Sequence, residues 1–175
     1  MKTITPTFFL GLALLACGVA EAASPNATDC AARAARISIK PVAQQELDIG
    51  GGRFFYGFFA LSNKSGKPIH VFADVRGQQK YLMVHPNSAS LQRQEGNSWV
   101  DDFTSLSEYS GPSKKVAISE NEEWQFIYPL ADLVINKVSR TQQYRLVLRD
   151  VDFCSIASEP FTLESLSHKN KQPKD

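Results

Sequence analysis

The chain has 175 residues, with 19 Lys+Arg against 18 Asp+Glu and a formal net charge of +1. That length suits one domain, and 43% hydrophobic residues with 11 Phe, 5 Tyr and 2 Trp offer enough burial to exclude intrinsic disorder. Near-zero charge argues against capture of nucleic acid or of an anionic membrane surface, and 10 Gly with 9 Pro exclude collagen-like and low-complexity classes.

The first element is an address. Lys2 precedes a mostly apolar stretch from Thr5 to Ala20, which matches a secretory signal. A membrane-spanning helix needs about 20 apolar residues, and here Pro6, Gly11 and Gly18 interrupt a shorter run. Ala20-Glu21-Ala22 offers small residues for ordinary cleavage, giving a signal over residues 1–22. Leu14-Leu15-Ala16-Cys17-Gly18, directly after the apolar run, resembles the lipobox of bacterial lipoproteins. That resemblance implies a signal over residues 1–16, lipid on Cys17, and, with Gly18 following, sorting to the outer membrane. We expect an exported periplasmic lipoprotein that meets the membrane only through its anchor, the alternative being a soluble periplasmic or secreted chain.

Export also organises the cysteines. With Cys17 removed or lipidated, Cys30 and Cys154 remain, and an even pair in an exported protein reads as a disulfide. The loop it closes exceeds a hundred residues, for which chain entropy gives at most about 4–5 kcal/mol. There is no C-x-x-C, and His70, His85 and His168 stand at no ligand spacing, so neither metal nor cofactor is expected.

Residues 17–36 read as a tether and N-terminal segment, with at most a turn or two of helix over Ala31–Arg36. From Ile37 the period becomes two, and Pro41 marks an edge strand. After Gly50-Gly51-Gly52, Arg53–Ser62 is the strongest strand. Asn63–Pro68 turns it into a returning strand with Ile69, Val71, Ala73 and Val75 on one face, which reads as a hairpin. Lys80–Val84 follows. Leu91–Gln94 and Trp99–Phe103 flank Glu95-Gly96-Asn97, a second hairpin signal. Thr104–Ser113 reads as a surface loop. Lys115–Ile118 and Trp124–Tyr128 surround an acidic turn, and Pro129–Lys137 fits either a short helix or a crossing segment. Tyr144–Leu148 and Pro160–Leu163 close the series, and 165–175 reads as a disordered polar tail. About nine strands without a long helix predict an all-β sandwich over residues 37–164.

Trp99, Glu122-Glu123-Trp124-Gln125-Phe126, Tyr144-Arg145-Leu146 and Ser158–Leu163 resemble the later strands of immunoglobulin-like or fibronectin-III-like domains. The resemblance implies an antiparallel β-sandwich of about 7–9 strands, with Tyr144 beginning the penultimate strand. It departs from antibody-type domains at the cysteine, because Cys154 lies ten residues after Tyr144. The bridge then staples the edge of the domain.

No G-x-S-x-G elbow, H-E-x-x-H or Cys-His pair of suitable spacing is present. A dispersed triad using His70 or His85 is the one route to a small periplasmic hydrolase. Asp150-Val151-Asp152 places two carboxylates on one side if extended, and reads as a solvated turn. Asn26-Ala27-Thr28 and Asn63-Lys64-Ser65 match glycosylation sequons. The oddity is the Phe54–Phe59 run, whose two faces are both aromatic. One reading covers the strand on both sides. The other exposes Phe54, Tyr56 and Phe58 to a partner, with Tyr109, Ser110 and Gly111 as an adaptable contact loop.

These features point to a non-enzymatic envelope module of the inhibitor or immunity type that binds a toxin, a hydrolase or another protein. The alternative is a structural accessory lipoprotein of a secretion, pilus or surface assembly. Intact mass of the membrane fraction is expected to show a chain lacking residues 1–16 and carrying lipid on Cys17. A lipid-free chain beginning at Ala23 contradicts the anchor and leaves export standing.

Overall fold

The computed structural model describes residues 27–49, 52–76, 81–84, 88–102, 114–130 and 139–168. The leader, Cys17 and the Tyr109-Ser110-Gly111 loop lie outside them, as does most of Pro129–Lys137. Among the described residues helix α1 (Ala27–Ala34) precedes ten strands: β1 (Ile37–Ile49), β2 (Gly52–Asn63), β3 (Ile69–Arg76), β4 (Tyr81–Val84), β5 (Ala89–Glu95), β6 (Ser98–Asp101), β7 (Lys114–Ile118), β8 (Glu123–Pro129), β9 (Tyr144–Arg149) and β10 (Ser155–Ala157). Helix α2 (Leu163–His168) ends the described chain.

The all-β sandwich expected from the period-two patterning is the observed architecture. One sheet runs β1-β2-β8-β4-β3-β7 and the other β10-β9-β5-β6. Ile39, Phe59, Leu61, Val71, Leu82 and Phe126 of the larger sheet meet Leu91, Leu146, Leu148 and Ile156 of the smaller in one buried cluster. Alternation places these residues on inner faces. Pairing is antiparallel except between β4 and β8, which run parallel with Leu82 beside Phe126. This departs from the wholly antiparallel arrangement that the immunoglobulin-like resemblance implied.

The strand Phe54–Phe59 is aromatic on both faces because β2 lies inside its sheet, between β1 and β8. On the inner face the Phe59 ring stacks on Phe126 at 5.3 Å between centroids and meets Phe161 edge-on at 5.4 Å. Gly57 makes room for it. A Cβ there would stand 2.8 Å from Phe59 Cε2 and 2.9 Å from Leu130 Cδ1, so any side chain would displace the ring at the centre of the core. On the outer face Tyr56 and Phe58 join Ala43, Met83 and Ile127 in a second buried cluster. The bulge between Pro41 and Ala43 makes this possible, since one extra residue in β1 brings Ala43 opposite Phe58.

Two expectations change, and one motif match is set aside. Strands β2 and β3 form no hairpin, because β8 and β4 lie between them. The Asn63-Lys64-Ser65 sequon is no glycan acceptor: Asn63 is fully buried, and its Nδ2 donates to the carbonyls of Lys67, Ile118 and Ser119 at 2.9, 3.0 and 3.2 Å. Its Oδ1 accepts from Ser65 N and Oγ. One amide thus ties the β2–β3 turn to the β7–β8 turn. Finally, the expected strand at 160–163 is only a bridge between Phe161 and Tyr144, after which the chain becomes helical. Thr162 caps that helix reciprocally with Ser165 (Ser165 N to Thr162 Oγ1 2.9 Å, Thr162 N to Ser165 Oγ 3.0 Å). Leu163 and Leu166, three apart, both reach the core. The domain therefore extends to His168, past the expected boundary at 164.

Asn63→Ala removes the amide that the Lys67, Ile118 and Ser119 carbonyls share, leaving Lys67 with Ser65 Oγ and Ser119 with the Glu122 N–H, and is expected to lower stability by about 1–3 kcal/mol. Urea denaturation checks it, and an unchanged midpoint contradicts the role of this amide.

Candidate functional site

The densest polar construction among the described residues is at the disulfide. Helix α1 has eight residues, too few to be stable alone, so tertiary ties must hold it. Cys30, Arg33 and Ala34 occupy one helical face by i, i+3, i+4 spacing. Ala34 packs on the core, Cys30 is bonded to Cys154 with a Cα–Cα distance of 5.2 Å, and Arg33 meets the β9–β10 loop.

That loop is Asp150-Val151-Asp152-Phe153-Cys154. The side chain of Asp150 is only 1% exposed, and its Oδ2 lies 2.7 Å from Arg33 Nη2. Arg33 Nη1 donates to Asp152 Oδ2 at 3.0 Å, and Nη2 also donates to Cys154 Sγ at 2.8 Å. Asp150 Oδ1 accepts from the backbone N–H of Asp152 and of Cys154, both at 2.9 Å. Val151 N donates to the His70 carbonyl, Phe153 N to the Asp150 carbonyl and Asp150 N to the Cys154 carbonyl. Every N–H from 150 to 154 therefore has a partner, and the loop is rigid by construction.

Phe153 breaks the pattern. Its φ is 62°, in the left-handed region that favours glycine or asparagine. A three-residue hairpin loop calls for that conformation at this position, yet the residue is a phenylalanine and is 79% exposed. The loop therefore holds an aromatic ring out in solvent.

Beside the loop is an open cleft of about 380 Å³ bordered by Cys30, Arg33, Arg36, Ser65, Lys67 and Asp152, with Asp29 on its rim. Arg33 is committed to the two aspartates. Among the described residues, Arg36, Lys67 and Asp29 have no ion-pair partner, so the cleft offers two cations and one carboxylate to a ligand.

The sequence-based candidates fare unequally. Cys30 and Cys154 are joined as expected. Phe54 is 45% exposed and stays available, but Tyr56 and Phe58 are 7% and 5% exposed, members of the second core cluster and not contact residues. The solvated turn expected at Asp150–Asp152 is instead half-sealed, with Asp150 buried under Arg33. His70 is half-buried on β3, and His85 lies outside the described residues. No cluster of three or more His, Cys, Asp or Glu is placed to hold a metal among the described residues. No described helix is long and apolar enough to cross a membrane.

Arg33 and Phe153 escaped the sequence reading. The signal for Arg33 was present: once Cys30 is bonded to Cys154, a cation three residues after the first cysteine must lie near carboxylates four and two residues before the second.

No family model matches the chain, and no curated protein matches it either. Among solved structures it is similar to the X-ray structure of a Northeast Structural Genomics Consortium target, SoR45. The identity is 11%, over 80% of this chain and 92% of that one, with a TM-score of 0.35. A likeness that distant lends this chain no function.

Proposed function

We propose that this chain is an exported, non-enzymatic binding module, tethered by lipid on Cys17, that engages a protein partner of the envelope as an inhibitor or immunity-type protein. The observation that carries this reading is Phe153. A non-glycine residue in the left-handed region costs about 1–2 kcal/mol, and a ring 79% exposed returns no burial to the fold. Interfaces are dominated by a few aromatic anchors held ready in their bound conformation, and the fully hydrogen-bonded loop supplies that readiness. Backbone strain clusters where function requires it.

One observation favours the accessory-protein alternative. Among the described residues strand β1 is a sheet edge, and the β2–β8 ladder ends at Tyr56–Pro129 with one further bond from Leu130 N to the Phe55 carbonyl, next to the exposed Phe54. Such an edge suits strand addition in an assembly.

Cross-linked pull-down from envelope extracts, comparing wild type with Phe153→Asn and Phe54→Ser, separates the two. Asn tolerates the left-handed conformation, so Phe153→Asn is expected to melt no lower than wild type. A stoichiometric protein captured by wild type and by Phe54→Ser, but not by Phe153→Asn, supports the hairpin-tip module. Loss on Phe54→Ser alone supports the assembly reading, and equal capture by all three contradicts both.

A further inference from the structure

The Cys30–Cys154 bond is built asymmetrically. Both cysteines border the cleft, but Cys154 is 2% exposed, whereas Cys30 is half-buried on the surface of a two-turn helix. Cys154 Sγ accepts a hydrogen bond from Arg33 Nη2 at 2.8 Å. Among the described residues nothing donates to Cys30 Sγ, and Asp29, beside it in the first turn of α1, offsets the positive end of the helix dipole that would otherwise favour a thiolate there. Thiol–disulfide exchange proceeds by attack on the accessible sulfur and is faster when the departing thiolate is stabilised. A neighbouring guanidinium is a recognised source of that stabilisation.

We propose that this disulfide is a site of directional exchange with a small thiol that carries carboxylates and an ammonium group, a peptide thiol of the glutathione class. The incoming thiolate attacks Cys30 Sγ, a new S–S bond forms between them, and the Cys30–Cys154 bond breaks. The electron pair goes to Cys154 Sγ, which remains as a thiolate under Arg33. Exchange moves one bond and needs no further oxidant or reductant, and return attack by Cys154 expels the small thiol and restores the bridge.

Asp152 Oδ2 accepts from Nη1 at 3.0 Å, Asp150 Oδ2 lies 2.7 Å from Nη2 as an ion pair without a hydrogen bond, and Nη2 donates to sulfur. Two carboxylates outweigh the one guanidinium here, so what Arg33 gives the departing Cys154 sulfur is this directed N–H and relief from the aspartates. Arg36 and Lys67 line the cleft as cations, and Asp29 as a carboxylate, that have no ion-pair partner among the described residues. Glutathione carries the complement, two carboxylates and one ammonium group, and a space of about 380 Å³ is in the range of small-ligand sites. This inference is independent of whether Phe153 binds a partner.

The test incubates the oxidised, folded full chain with reduced glutathione, traps free thiols by alkylation and maps the products by mass spectrometry. Glutathione is expected on Cys30, with the alkylating label on Cys154, at least about tenfold in excess over the reverse arrangement. Arg33→Gln is expected to slow the exchange about tenfold, through a poorer leaving thiolate. Adducts equally on both cysteines, no adduct until urea unfolds the chain, or unslowed exchange in a folded Arg33→Gln variant each overturns the proposal. Should that variant not fold, the position of the wild-type adduct decides alone.

Discussion

A carboxylate almost sealed from water constrains this domain more than any other single group. Asp150 is buried beside a bridge cysteine, and an unpaired charge there would destabilise the fold by several kcal/mol. Its cation comes from a helix at the other end of the described chain. That pairing brings α1 against the β9–β10 loop and sets Cys30 opposite Cys154. It also leaves the other carboxylate oxygen of Asp150 free to collect the N–H groups of Asp152 and Cys154. Helix position and loop conformation are held jointly by this buried ion pair and the disulfide beside it. Phe153 then has no freedom to leave the left-handed region without undoing a bond on either side.

The rest of the molecule makes that corner rigid. The β9 strand that delivers Asp150 is in the sandwich core at Leu146 and Leu148, and Tyr144 at its start is locked by two backbone bonds to Phe161. Burial pushes the Tyr144 phenol above its ordinary value. Its neutral form therefore supports the fold below the unfolded value near 10, and that support fades as pH rises through the folded one. On the far side, Val151 is tied to His70 of β3, so the loop bridges both sheets.

Much of this was legible in the sequence, and what was missed has identifiable causes. Period-two alternation reports which face a residue occupies, so Ile39, Val71, Leu146 and Leu148 were assignable to the core. Gly96-Asn97 marked the β5–β6 turn, and Gly96 has φ 59° as such a turn requires. Alternation says nothing about which strand lies alongside, so β2 and β3 looked like neighbours although two strands separate them. An aromatic run loaded on both faces fits a covered strand as well as an exposed one, and only the position of β2 within its sheet buries Tyr56 and Phe58. The helix at Leu163–His168 was written in Thr162, Ser165 and the Leu163/Leu166 spacing, but its polar composition read as a tail. Arg33 and Phe153 acquire meaning only through the disulfide, which turns two distant stretches into neighbours.

The central claim is that the Arg33–Asp150 pair makes the loop carrying Phe153 a rigid element. Native-state hydrogen exchange of the amides of Val151, Asp152, Phe153 and Cys154 tests it most directly. The account predicts protection comparable to that of β9 in the oxidised chain, collapsing at Asp152 and Cys154 in Arg33→Gln while β9 stays protected. Rapid exchange of all four amides in the wild type, as in an ordinary surface turn, would contradict it.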